Sequence, residues 1–151
     1  MRKILLLTCF ISLNLLMASA QDVDMLMNQA KQLLEQSCSA EASLIFEKIV
    51  ETDPQNYESL AFLGNYNYLL GKQMLDKVEA EYKTISQPNR MQTAYYQEEL
   101  KHIYDLYYEK ADGYLTKALH VRENEHLNKL LQSIQTFKKK MEIITVKSRK
   151  S

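Results

Sequence analysis

The sequence predicts an all-α fold built from helix–turn–helix units, and three observations carry that prediction. The 151 residues include three glycines and two prolines, too few turn-formers for a chain of many short strands. Apolar residues recur at helical spacing through nearly all of the chain after residue 20. Pro54 and Pro88 stand 34 residues apart, each closing a helical pattern and preceding an asparagine by one or two residues. The composition, 46% hydrophobic and 25% charged, is that of an ordinary globular domain.

The first twenty residues, MRKILLLTCFISLNLLMASA, read as a secretory leader of bacterial style. Arg2 and Lys3 make a positive start. Ile4–Met17 is apolar apart from Thr8, Ser12 and Asn14, and Ala18-Ser19-Ala20 is a small-x-small cleavage signal. The run is shorter than the roughly 20 apolar residues a membrane span needs. Cleavage is expected after Ala20, placing the mature chain in the periplasm or outside the cell. Leu6-Leu7-Thr8-Cys9 has the outline of a lipoprotein box, but Thr8 is larger than the small residue such boxes carry before the cysteine. Cleavage leaves Cys38 as the single cysteine, so no intrachain disulfide can form and packing must hold the fold. The bland reading of Cys38 is a small buried residue near a helix start.

Met25–Leu34 is the first helical pattern. Ser37–Ser39 interrupts it, with Ser39 placed to cap a second helix whose apolar face is Ala42, Leu44, Ile45, Phe46, Ile49 and Val50. Asp53-Pro54-Gln55-Asn56 ends that helix, because proline cannot continue the hydrogen-bond ladder. Tyr57–Leu70 and Lys72–Ile85 form a third and a fourth helix, with Gly71 as the turn between them. After Ser86-Gln87-Pro88-Asn89 come a fifth helix, Met91–Tyr108, and a sixth, Ala111–Val121. Asn124 is placed to cap a seventh, Glu125–Met141. Ile143–Val146 is the one short stretch of strand-like alternation.

The segment LAFLGNYNYLLGK, residues 60–72, holds two of the three glycines. A glycine inside a helix costs about 1 kcal/mol relative to alanine. Gly64 is therefore read as the point where the two helices of one hairpin approach closely, and Gly71 as the turn of that hairpin, able to take positive φ.

Leu63-Gly64 with Tyr66 and Tyr68, Ala42 with Phe46 and Pro54, and Ala111 with Leu115 and Ala118 together resemble the tetratricopeptide repeat, a 34-residue helix–turn–helix unit. Gln29-Ala30 stands where the first unit would carry Leu-Gly, and Asp76 where the second would carry its first small alanine. The resemblance implies units over about 23–56, 57–90 and 91–124, a capping helix over 125–141 and a basic tail over 142–151. These units would stack as a short right-handed α-solenoid, since no single hairpin buries its own apolar face. In that family the first helix of each unit lines a concave groove that holds a peptide or protein segment. Carried over, the groove candidates are Met27, Lys31, Leu34, Glu58, Ala61, Asn65, Tyr68, Tyr95 and Glu99. Of these only Asn65 fits the lysine, arginine and asparagine set that grips a terminal carboxylate, so the implied groove suits an apolar or basic segment instead.

Residues 21–137 carry 11 basic and 18 acidic side chains, a net −7, while residues 138–151 carry six and one, a net +5. An acidic body argues against nucleic acid as a partner. The run Lys138-Lys139-Lys140 reads either as the end of the last helix, where cations complement the dipole, or as a weak contact for anionic membrane or an acidic partner. No HExxH, CxxC or glycine-rich phosphate loop occurs, and His102, His120 and His126 share no one-face spacing. No metal, cofactor or catalytic residue is expected, and the chain is read as a non-enzyme. Its ten tyrosines, six of them from Tyr95 to Tyr114, serve core packing or a recognition surface. The expected function is an exported scaffold that docks a protein or peptide. The alternative is a self-associating envelope subunit, a homodimer with the tyrosine cluster as its interface.

Overall fold

Backbone hydrogen bonding in this computed structural model is helical almost throughout, as the apolar periodicity requires. The structure describes residues 22–148, with side chains described through residue 142. The expected leader and the last three residues of the tail lie outside the described residues. The helices are α1 (residues 22–35), α2 (Ser39–Thr52), α3 (Tyr57–Lys83), α4 (Arg90–Ile103), α5 (Glu109–Val121) and α6 (Glu125–Ser148). A π-helical turn, Tyr104–Tyr108, joins α4 to α5 without a break. The protein is thus all-α, five helical rods in chain order, with no strand among the described residues.

The chain divides into two units, Met1–Ser59 and Leu60–Ser151, with the boundary inside α3. In the first unit, α1 ends on Ser37, whose φ of 62° is left-handed. Ser37 N–H donates to the Leu34 carbonyl at 3.0 Å and Cys38 N–H to the Leu33 carbonyl at 2.9 Å. This crossed pair satisfies the end of a helix that glycine most often closes. Cys38, not Ser39, is the N-cap of α2 and makes no side-chain cap bond. Its thiol is free and only partly buried, rather than buried. Ala42, Ile45, Phe46 and Ile49 form the buried face of α2 at i, i+3, i+4, i+7. At its end Asp53 Oδ1 accepts from Gln55 N–H, and Asn56 Oδ1 accepts from both the N–H and the hydroxyl of Ser59, which caps α3.

The second unit corrects three expectations. The turn at Gly71 does not exist: α3 is one helix of 27 residues, and no glycine has positive φ. Gly71 is buried because a methyl there would lie 3.1 Å from Tyr107 Cβ and 3.2 Å from the Tyr108 ring. The break after Tyr108 does not exist either. Buried positions run Leu100, Ile103, then Tyr108, Ala111, Leu115 and Ala118. The step of five at Ile103–Tyr108 is the extra residue of the π turn, which swings Tyr108 rather than Tyr107 into the core. Finally, α6 runs through Lys138–Lys140 and through the expected strand-like stretch to Ser148, so the lysines lie within the helix and not at its end. Asn124 does cap it, accepting from Leu127 N–H at 3.1 Å. Leu127, Ile134 and Phe137 are its buried residues, and Phe137 meets the rings of Tyr104 and Tyr108.

Candidate functional site

Two helix ends and the loop between them build an open cleft in the second unit. Val78, Glu81 and Tyr82 share one face of α3, and Ile85 follows two residues past its end. Beyond the turn, Met91, Gln92, Tyr95, Tyr96 and Glu99 share one face of α4. Asn89 fixes the start of α4 through a capping box: its side chain accepts from Gln92 N–H at 2.9 Å, and its own N–H donates to Gln92 Oε1 at 2.9 Å. The cleft between these two faces has a volume of about 390 Å³.

A pair of stacked rings forms its inner wall. Tyr82 and Tyr96 lie parallel, 4.0 Å between centroids and 10° from coplanar, and the Tyr82 hydroxyl reaches Thr93 Oγ1 at 3.2 Å. Burial, then the Glu79 charge, raises the Tyr96 phenol above its ordinary pKa. The outer wall is left to solvent, with Met91 81% and Tyr95 65% exposed. The Glu99 carboxylate holds the Tyr95 phenol by charge and by a hydrogen bond and raises its pKa, with Glu81 and Glu98 adding to the effect. Glu81 and Glu99 are the charged residues that line the cleft, and no lysine or arginine does.

The groove candidates fall into three sets. On α1, Met27 and Leu34 are half-buried and flank exposed Lys31, whose ammonium pairs with Glu58 at 3.2 Å on the first turn of α3. On α3, Ala61, Asn65 and Tyr68 make a half-buried stripe at i, i+4, i+7, and Tyr68 packs edge-on against Tyr108 at 5.8 Å. On α4, Tyr95 and Glu99 sit one turn apart in the cleft. Sequence reasoning missed the α3 wall and Met91. The available signal was an apolar residue on each side of the Pro88 turn, Ile85 and Met91, at the ends of two patterned helices.

Elsewhere in the unit, burial drives the Tyr108 phenol well above the usual tyrosine range, and the Tyr68, Asp76 and Glu79 side chains push the same way. Lys138 lies over the Tyr104 ring, 5.7 Å from its centroid, and Lys140 meets Glu79 at 3.4 Å. Two of the three lysines in the run are therefore engaged within the unit. Among the described residues, no cluster of three His, Cys, Asp or Glu side chains could hold a metal ion, and no helix is long and apolar enough to cross a membrane.

These features define an all-helical protein whose second unit leaves an aromatic, acid-rimmed cleft open to solvent. No protein-family model matches the chain, and no curated protein matches it. It is similar to the crystal structure of a "putative protein binding protein" from Bacteroides ovatus, with a TM-score of 0.74 and 32% identity over 79% of this chain. The chain spans 58% of the length of that protein.

Proposed function

We propose that the mature chain is an exported, non-catalytic scaffold that docks a protein or peptide segment, with the α3–α4 cleft as its principal contact surface. The observation that carries this reading is the exposure of Met91 and Tyr95 over an apolar cleft of about 390 Å³. Burying apolar surface is worth about 25 cal/mol per Å². A contiguous apolar patch rimmed by polar groups is characteristic of an interaction site. Cleft volumes of about 300–1,000 Å³ are those of binding pockets. The similarity to a Bacteroides ovatus protein described in terms of protein binding supports the same reading.

The tetratricopeptide resemblance is retained for the α1–α2 hairpin and the Leu63-Gly64 segment, as hairpin stacking of the solenoid type. In that reading the α1 stripe Met27–Lys31–Leu34 with Glu58, and the α3 stripe Ala61–Asn65–Tyr68, are further contact surfaces, each within its own unit. The leader supports export to the periplasm or beyond.

A photo-crosslinking residue placed at Tyr95 in the full chain tests the docking. A discrete crosslinked product is expected from position 95 and not from exposed Lys117 on α5, and a Met91→Ser change should diminish it. Equal products from both positions would remove the cleft from consideration. Amino-terminal sequencing of the protein from an expressing bacterium is expected to begin at Gln21, in the periplasmic or secreted fraction.

A further inference from the structure

We infer that the cleft takes a positively charged aliphatic segment of a partner protein, with a lysine or arginine laid over the Tyr95 ring between Glu81 and Glu99 and its aliphatic neighbours against Val78, Ile85 and Met91. This rests on the docking reading above and adds the chemistry of the occupant.

Charge complementarity carries the inference. The cleft contributes two carboxylates and no cation. Glu79, the nearest acid on α3, is already taken up by Lys83 and Lys140 at 3.6 and 3.4 Å, whereas no ion pair among the described residues takes up Glu81 or Glu99. The field of those carboxylates is felt at the Tyr95 hydroxyl, which Glu99, Glu81 and Glu98 all push toward protonation. An incoming cation is steered by the same field, and a carboxylate is repelled.

The ring geometry selects further. Tyr82 and Tyr96 turn one face toward each other, which closes that face of each to a ligand. Tyr95 is the exposed ring, one helical turn from Glu99. A guanidinium or ammonium over such a ring gains cation–π attraction as well as the carboxylate pairing. Arginine is favoured over lysine because it is planar and less strongly hydrated. The aliphatic requirement comes from Val78, Ile85 and Met91, which offer no donor and no acceptor stronger than a thioether sulfur to a polar segment. Pairing of two copies body to body at this acidic cleft is opposed by the net −7 that each carries over residues 21–137.

Selection of a random peptide display library on the mature full-length protein tests this, followed by fluorescence anisotropy of the recovered peptides as synthetic probes. The expected peptides carry Lys or Arg beside Leu, Ile or Val. The double change Glu81→Gln, Glu99→Gln is expected to weaken them about tenfold and to flatten their salt dependence. Both side chains lie at the cleft rim, so circular dichroism should show unchanged helix content. Neutral or acidic peptides that still require Tyr95 would overturn the charge assignment while leaving the docking cleft standing. Peptides whose binding ignores Tyr95→Ala would overturn the cleft itself. Sedimentation showing a wild-type dimer that Met91→Glu converts to monomer would make a second copy the occupant and would also overturn the inference.

Discussion

Near its start in the second unit, α3 meets α5 at Gly64; about five turns later, two stacked rings stand between it and α4. A methyl placed on Gly64 would come within 2.7 Å of Leu115 Cδ2 and Cγ. At the other end Tyr82 and Tyr96 spend their ring faces on each other and leave a cleft beside them. The same helix therefore closes where Gly64 admits Leu115 and Tyr68 packs edge-on against Tyr108, and opens where the Tyr82 and Tyr96 rings take up each other's faces. What each α3 side chain meets, rather than helix propensity, separates the core part of the unit from the part free to bind.

The largest test of that contrast is Leu115→Ala. Leu115 is fully buried over Gly64, and its loss is expected to cost about 2–5 kcal/mol in urea unfolding. Tyr95→Ala at the open end should move stability by no more than about 0.5 kcal/mol. Near-equal effects would break the comparison. Gly64→Val comes next, at about 1–3 kcal/mol for overpacking despite the helix propensity it gains. Gly71→Ala is its control: contacts of 3.1–3.2 Å ask the Tyr107 and Tyr108 side chains to yield slightly, and a propensity gain of about 1 kcal/mol offsets that. A net change within about 1 kcal/mol is expected there.

The two glycines also show what local sequence reveals and what it conceals. Gly64 as a close approach was legible, but its partner was not: it meets Leu115 on α5 rather than the second helix of its own hairpin, which does not exist. Gly71 was not legible, because a glycine between two short patterns looks like a turn. Its actual reason is a contact with Tyr107 and Tyr108 on another rod. The continuity of α4 into α5 was concealed in the same way. Glu109, Lys110 and Gly113 look like punctuation until the π turn restores the buried register at Tyr108. Pro54, Pro88 and Asn124 were legible as helix boundaries, since proline and a capping side chain act on adjacent backbone. The break at Ser37–Ser39 was legible too, but not the positive φ of Ser37, which serine rarely adopts. Of the cleft, Tyr95 and Glu99 were among the groove candidates, but Val78, Tyr82 and Ile85 were not. Whether an apolar helix face meets another helix or solvent depends on long-range placement.

Asn89 sharpens the comparison from the loop side. It caps α4 beside the cleft and bonds reciprocally with Gln92. Asn89→Ala is expected to cost about 1 kcal/mol, less than either change at the closed end apart from Gly71→Ala. Hydrogen exchange should rise in the first turn of α4 and not at Leu115. Uniform loss of protection would mean that the two ends do not differ in local stability.

The smallest effect separates the ends by the cause of a shifted tyrosine. Tyr108, at the closed end, is raised chiefly by burial; Tyr95, in the cleft, is raised chiefly by the Glu99 charge and hydrogen bond. A phenol raised in the folded state stays protonated while its unfolded counterpart ionises. Its contribution is therefore complete below the ordinary value of about 10 and is lost as pH climbs beyond it. At pH 10 the loss from Tyr108 alone is expected to be a few tenths of a kcal/mol, half the unfolded population being ionised there. Tyr108→Phe should remove that alkaline dependence. Salt and Glu99→Gln should lower the Tyr95 titration toward its ordinary value and leave Tyr108 where it is, as read from the ring carbon shifts of each tyrosine. A Tyr108 that follows salt as Tyr95 does would place it in solvent rather than in the core, and the closed end would no longer be closed.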